Sequence, residues 1–274
     1  AWDGLVVLPA RELGWEIAGN PAVRFLPCLG GFVGSDILAG VLATRMHESE
    51  DLIGLIDLGT NGEIVFGNRE RMICASAAAG PAFEGGRISM GMRAATGAIA
   101  EVDLEDGGIR CRVLGNVAPR GICGSGLVDA VAAGLELGSI RANGRLEGGP
   151  WTLCPPVRLE QRDIRELQLA KAAIAAGIRI VLRRWGAEPG DVRQIYLAGA
   201  FGNYVNRTSA RRIGLIPFPD EVVTPAGNTA LLGAKLALFA AGNGEFAGIR
   251  QAMGHISLAS DAEFQEIYAE EMMF

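Results

Sequence analysis

Strands that run straight into glycine are the feature that most narrows what this chain can fold into. Four such junctions stand out: Asp57-Leu58-Gly59-Thr60-Asn61-Gly62-Glu63, Leu197-Ala198-Gly199-Ala200-Phe201-Gly202-Asn203, Ala226-Gly227-Asn228-Thr229-Ala230-Leu231-Leu232-Gly233-Ala234 and Gly121-Ile122-Cys123-Gly124-Ser125-Gly126-Leu127. Glycine carries no side chain to hold a ligand away from the main chain. Amides bared at a glycine turn or a helix start can therefore surround an anion at close range. Each junction also has an ordinary reading: Asn61-Gly62 suits a plain hairpin turn, and the small residues of the third suit a close helix–helix approach. None fits the phosphate loop G-x-x-x-x-G-K-[ST], and no G-x-G-x-x-G follows a strand, so the P-loop and Rossmann readings both fail.

Composition closes off other classes. Glycine makes up 39 of 274 residues, yet there is no Gly-X-Y period and 49% of the chain is apolar, which excludes collagen and disorder. A net charge of −6 without a basic block, and only 6% aromatics, argue against a nucleic-acid partner. Arg179 and Lys235 interrupt the best apolar runs, so no membrane span is expected. Cys28, Cys74, Cys111, Cys123 and Cys154 contain no C-x-x-C and no ferredoxin spacing. They read as reduced thiols in a cytoplasmic protein, with no iron–sulfur cluster held by this chain alone. His47 and His255 lie far apart, without ligand spacing for a metal.

The periodicities predict a helix over 36–47 capped by Ser35 or Asp36, a buried strand over 52–58, and strands over 63–67 and 71–75. They predict a hairpin of 102–104 with 109–114 around Asp106-Gly107-Gly108, a helix over 124–137 stopped by Gly138, and an exposed Gly/Pro-rich excursion over 143–156. A long helix from 159 to 185 follows, with Ile164, Leu167, Ala170, Ile174, Ile178, Val181 and Leu182 on its core face. The last predicted elements are a strand over 195–198, a helix over 229–240 capped by Asn228 or Thr229, and a helix over 261–272. Alternating strands and helices predict an α/β fold.

The order of the junctions says more than any one of them. Asp-x-Gly-Thr after a strand, then Gly-x-x-Gly after a strand, then a small-residue helix resembles phosphate-2, adenosine and connect-2 of the actin, Hsp70 and sugar-kinase ATPase superfamily. Gly30-Gly31-Phe32-Val33-Gly34-Ser35-Asp36 resembles the connect-1 segment that precedes them. More narrowly, the first, second and fourth junctions, with Ala77-Ala78-Ala79-Gly80-Pro81-Ala82-Phe83-Glu84-Gly85-Gly86, resemble the C-terminal ATPase region of the reductive activators of corrinoid proteins.

The resemblance implies an actin-like (ribonuclease H-like) fold with a mixed sheet flanked by helices. It implies an ATP-driven return of an inactive Co(II) corrinoid protein to Co(I), with ATP/ADP and Mg²⁺ as cofactors and a corrinoid protein as partner. Asp57 is expected to orient Mg²⁺ through water or the attacking water, and Asp36 stands where sugar kinases place a base. Gly59, Thr60 and Asn61 are expected on the phosphates, and Gly124, Ser125, Gly199, Ala200, Gly202, Gly227 and Asn228 around the nucleoside. Glu84 is either a ribose contact or plain solvated surface, and Cys123 a small core residue. The family's upstream phosphate-1 strand has no counterpart before Leu26. The chain is thus expected to be the C-terminal part of a longer protein whose [2Fe-2S] cluster sits upstream. Residues 1–50 read as a remnant of the first lobe and 51–274 as the second. Homodimerisation is left open, and a nucleotide-regulated docking domain or a small-molecule kinase are the alternative functions.

Overall fold

The run Leu52-Ile53-Gly54-Leu55-Ile56-Asp57-Leu58 is apolar on both alternating faces, so as a strand it must be covered on both sides. A computed structural model, which describes residues 4–239 and 244–274, places it there. In chain order the elements are β1 (Val6–Pro9), β2 (Ala22–Phe25), α1 (Ser35–Thr44), β3 (Ile53–Leu58), β4 (Gly62–Gly67), β5 (Met72–Ala77), β6 (Ala98–Glu105), β7 (Gly108–Val113), β8 (Gly121–Ile122), α2 (Gly124–Glu136), β9 (Trp151–Cys154) and β10 (Val157–Leu159). There follow α3 (Gln161–Trp185), β11 (Gln194–Ala198), α4 (Gly199–Gly202), α5 (Arg207–Arg212), β12 (Val223–Gly227), α6 (Thr229–Phe239), α7 (Gly244–Ala252), β13 (Met253–His255) and α8 (Phe264–Glu270).

The main sheet has the order β12-β11-β3-β4-β5-β13. Strands β12, β11 and β3 run parallel, β4 is antiparallel to β3 and β5, and β13 returns parallel to β5. A smaller sheet, β7-β6-β8, adjoins it. Ile56, Ile64, Phe66 and Ala75 face the core beneath α3, whereas Leu55, Val65 and Cys74 face a second core under α1 and α7. The mixed sheet flanked by helices is the α/β architecture expected from the sequence.

Helix α3 has its whole predicted stripe buried. It starts at a capping box in which Glu160 N–H donates to Asp163 Oδ2 at 2.9 Å, and ends at Gly186, φ +89°. Asp163 Oδ1 also accepts from Ser89 N (2.7 Å) and Ser89 Oγ (2.8 Å), tying the loop before β6 to the helix start. On the opposite side α1 and α6 touch backbone to backbone: a Cβ on Gly233 would lie 1.8 Å from the Ala39 carbonyl oxygen. The close helix approach read from the small residues is thus present.

Several expectations change in detail. The first helix is capped by neither Ser35 nor Asp36: Gly34 is its N-cap, with no side-chain cap bond, and the helix stops at Thr44 because Arg45 turns left-handed at φ +56°. The excursion over 143–156 is structured at its end, where β9 pairs with β10 across the cis Pro155–Pro156 bond. Prolines masked that ribbon in the sequence. The final helix is shorter than 261–272, preceded by a 3₁₀ turn at Leu258–Ser260. The predicted end of the 229–240 helix at Ala240 lies outside the described residues, and Asn228 is the cap: its Oδ1 accepts from Leu231 N–H at 2.8 Å. Among the described residues no helix is long and apolar enough to cross a membrane.

Candidate active site

Parallel strands deliver their carboxyl ends to one edge, which is where α/β sheets bind ligands. Here β3, β11 and β12 end together, and the pairing register draws Gly227, Ala198, Asp57, Glu63 and Ser76 into one row across five strands. Because cross-strand neighbours share a face, Asp57 and Glu63 present their carboxyls side by side on the α1 face. Asp36, exposed in the first turn of α1, is the third carboxylate near them.

Among the described residues the causes that set these carboxyls' acidity include no neighbouring cation. Burial, then the charge of Asp36, pushes the Asp57 carboxyl up to about 6. Burial pushes Glu63 up to about 7, with Asp36 and Asp57 adding to it and the Ser76 hydroxyl, donating to Glu63 Oε1 at 3.2 Å, opposing it. Two carboxyls held near neutrality at the end of a strand are a functional signature. Among the described residues no three Asp, Glu, His or Cys side chains converge to hold an ion directly. A hard cation such as Mg²⁺ keeps most of its waters and takes one or two carboxylates. The oxygen donors fit such an ion, and its charge would relieve the one the fold leaves uncompensated.

The turn after β3 supplies donors. Gly59 N–H is spent on the Asn61 carbonyl (2.9 Å), and Gly80 N–H fixes the Thr60 carbonyl (3.0 Å). The N–H groups of Thr60 and Asn61, both exposed, donate to no protein group among the described residues. They are available to an anion. Thr60 Oγ1 donates to Glu84 Oε1, so Glu84 is exposed surface latched to the turn rather than isolated. Gly199 is required: at φ +87° a Cβ would lie 2.4 Å from Asp57 Oδ1 and 2.6 Å from the Leu58 carbonyl oxygen. It packs the second junction directly against the first.

Beyond Glu84 opens a cleft of about 410 Å³, lined by Phe83, Arg93, Gly124, Ser125, Ala200 and Phe201 among others. Phe83 and Phe201 stack at 4.5 Å and 16° on its wall. Gly124 lies flat on the Phe83 carbonyl, 2.0 Å from where its Cβ would be, while Ser125 Oγ is spent on the Ala100 carbonyl (2.9 Å). Gly202 packs on Leu197, and Gly227 comes near Asn203. The starts of both α1 and α2 carry no side-chain cap, which leaves their first amides open. The structure thus joins Asp57, Gly59, Thr60, Asn61 and Gly199 at one point and Gly124, Ser125 and Ala200 in the adjoining cleft. Gly227 and Asn228 lie at the far end of the row, with the Asn228 side chain occupied as a cap.

Cys123 is buried, its Sγ 3.3 Å from Ser125 Oγ. Arg183, Arg184 and Arg212 pair with Glu263, Asp261 and Glu136 on the surface. Sequence reading passed over Glu63, although it named the segment. A hairpin centred on Thr60 makes Asp57 and Glu63 partners, and that symmetry was there to be found. The Phe83–Phe201 stack carried no local signal.

Residues 51–274 match the family described as "C-terminal domain of RACo the ASKHA domain", and residues 2–49 the one described as "RACo middle region". The chain belongs to the RACo family. Corrinoid activation enzyme RamQ of Eubacterium limosum is 39% identical over 290 residues, covering 93% of this chain and 48% of that protein. The [Co(II) methylated amine-specific corrinoid protein] reductase of Methanosarcina barkeri is 32% identical over 248 residues, covering 82% and 46%. A solved structure titled "Reductive activator for corrinoid,iron-sulfur protein" superposes with a TM-score of 0.86 at 32% identity, over 98% of this chain and 47% of that one. This RACo chain therefore spans about half the length of the relatives it matches. The ASKHA match bears out the actin-like fold, and the RACo relatives bear out the resemblance to corrinoid activators.

Proposed function

We propose that the chain is the ATP-binding and ATP-hydrolysing part of a cytoplasmic protein that returns a Co(II) corrinoid protein to Co(I). The observation that carries this reading is the row of strand ends, where the Asp57–Glu63 pair and the unspent amides of Thr60 and Asn61 sit between α1 and an aromatic-walled cleft. In this reading Asp57 and Asp36 are the acidic groups at the reacting end, with Asp57 holding Mg²⁺ through water. The Thr60 and Asn61 amides hold phosphate oxygens, and Gly59, its own N–H spent on the Asn61 carbonyl, shapes the turn that presents them. Gly124, Ser125, Gly199, Ala200 and Gly202 form the nucleoside shelf, with Gly227 and Asn228 bounding it. Bound Mg²⁺ supplies charge neutralisation of the phosphates; the chain supplies their position.

Reduction of Co(II) is uphill from ordinary ferredoxin potentials, so nucleotide can drive it only by binding one conformation of the complex better than another. In this reading residues 1–50 are the end of a first lobe that continues in the longer protein, and closure of that lobe on residues 51–274 is the change nucleotide can bias. The names of the RACo relatives support a corrinoid protein as partner, and the upstream [2Fe-2S] domain belongs to this reading as the source of electrons. The test is calorimetry of the full-length protein with ATP, ADP and Mg²⁺, together with ATP turnover in the presence of a Co(II) corrinoid protein. Binding in the micromolar range and turnover lost in Asp57→Ala are expected. No nucleotide binding by the full-length protein would overturn the reading.

A further inference from the structure

Three carboxylates border the row of strand ends, and they are not equivalent. Asp57 is hemmed in by Gly199 and the Leu58 backbone. Asp36 sits exposed on α1, with its Oδ1 folded back over Gly34, 2.6 Å from where a Cβ there would be. Glu63 stands on the antiparallel strand directly opposite Asp57, one methylene longer and half-buried. Ser76, opposite it in turn on β5, donates its hydroxyl to Oε1 at 3.2 Å. That bond, with a further one from the residue's own backbone N–H, fixes the carboxylate's rotation, and among the described residues no other side chain donates to it. Of the three, Glu63 alone is oriented by a side-chain hydrogen bond while keeping lone pairs for a further donor. A base must have that combination to receive a proton from a water lying beyond its partner carboxylate.

We infer that Glu63, oriented by Ser76 and adjacent to Asp57 across the β3–β4 hairpin, is the carboxylate that takes the proton from the water attacking the γ-phosphate of ATP. The inference rests on the ATPase reading above and names a residue for it. As the water oxygen bonds to the γ-phosphorus, the bond from that phosphorus to the bridging oxygen breaks and its electron pair stays on ADP. The water's proton passes to the Glu63 carboxylate and leaves to solvent with inorganic phosphate, so that ATP and water give ADP, phosphate and one proton. Asp57 stays with the metal waters and does not change role.

The experiment uses the full-length protein, comparing ATP turnover and ATP affinity in the parent, Glu63→Gln, Ser76→Ala and Asp36→Asn. Glutamine keeps the length of Glu63 and its bond to Ser76 but cannot accept the proton. The expected result is a kcat at least about 100-fold lower in Glu63→Gln, the scale of one general base, with ATP affinity within threefold of the parent. Ser76→Ala is expected to lower kcat about three- to tenfold with unchanged affinity. Should Glu63→Gln fail to bind ATP, Ser76→Ala decides, because a kcat unchanged there overturns the assignment. A parent-like kcat in Glu63→Gln, or a deeper loss in Asp36→Asn than in Glu63→Gln, also overturns it. A parent that binds no ATP overturns the ATPase reading itself.

Discussion

Asp57→Asn should make the protein more stable and less active, with the gain confined to neutral and alkaline pH. The folded state holds the Asp57 carboxyl near 6, against an ordinary value of 3.8, because burial and Asp36 disfavour its charged form. That gap corresponds to about 3 kcal/mol of cost for the ionised native carboxylate. Asp57 keeps some contact with water, so about 1–2 kcal/mol is the better expectation. The folded-state pKa is the higher one. Its stabilising contribution is therefore fully present below pH 3.8 and lost as pH rises through about 6. Asparagine removes the charge at every pH. At pH 8 the variant should melt about 2–8 °C above the parent, and at pH 3 the two should coincide within about 1 °C. Differential scanning calorimetry at both pH values checks this, alongside ATP turnover, which should fall by roughly two orders of magnitude. A variant less stable than the parent at pH 8, or a stability gain equal at both pH values, would refute the argument that uncompensated charge is stored at this strand end.

Gly233→Ala adds helix propensity but drives a methyl into the Ala39 carbonyl, so a net loss of about 1–3 kcal/mol is expected in urea denaturation; a gain would mean α1 and α6 do not touch there. Phe201→Ala removes one face of the stack with Phe83 and should weaken ATP binding roughly three- to tenfold by calorimetry, with kcat at saturation little changed. Asp163→Ala strands the donors of Ser89 and Glu160 at the start of α3. It should cost about 2–4 kcal/mol, read as a lower urea midpoint at constant slope; a cost below about 1 kcal/mol would show that the capping box is not what anchors that loop.

The sequence by itself determined the local pieces. Leu52 to Leu58 could only be a doubly covered strand, the stripe from Ile164 to Leu182 could only be a core-facing helix, and Asp106-Gly107, both at positive φ, could only be a hairpin turn. The order of the glycine junctions pointed to the ATPase fold because glycines such as Gly124, Gly126, Gly199, Gly227 and Gly233 are demanded by a positive φ or a close backbone approach, and these are written residue by residue. Where Pro155-Pro156 broke the periodicity, or where Gly34 rather than Ser35 or Asp36 stands at the cap position, local signals misled. Only the tertiary structure decided which residues meet. Pairing register sets Glu63 beside Asp57 and Ser76 beside Glu63, the packing of α4 against β3 brings Gly199 onto the carboxylate, and the stack of Phe83 on Phe201 joins segments more than a hundred residues apart. The physical reason is that burial and charge are properties of the assembled neighbourhood. A carboxyl's identity is fixed by the sequence, but whether it holds or yields a proton at pH 7 depends on what the fold places against it.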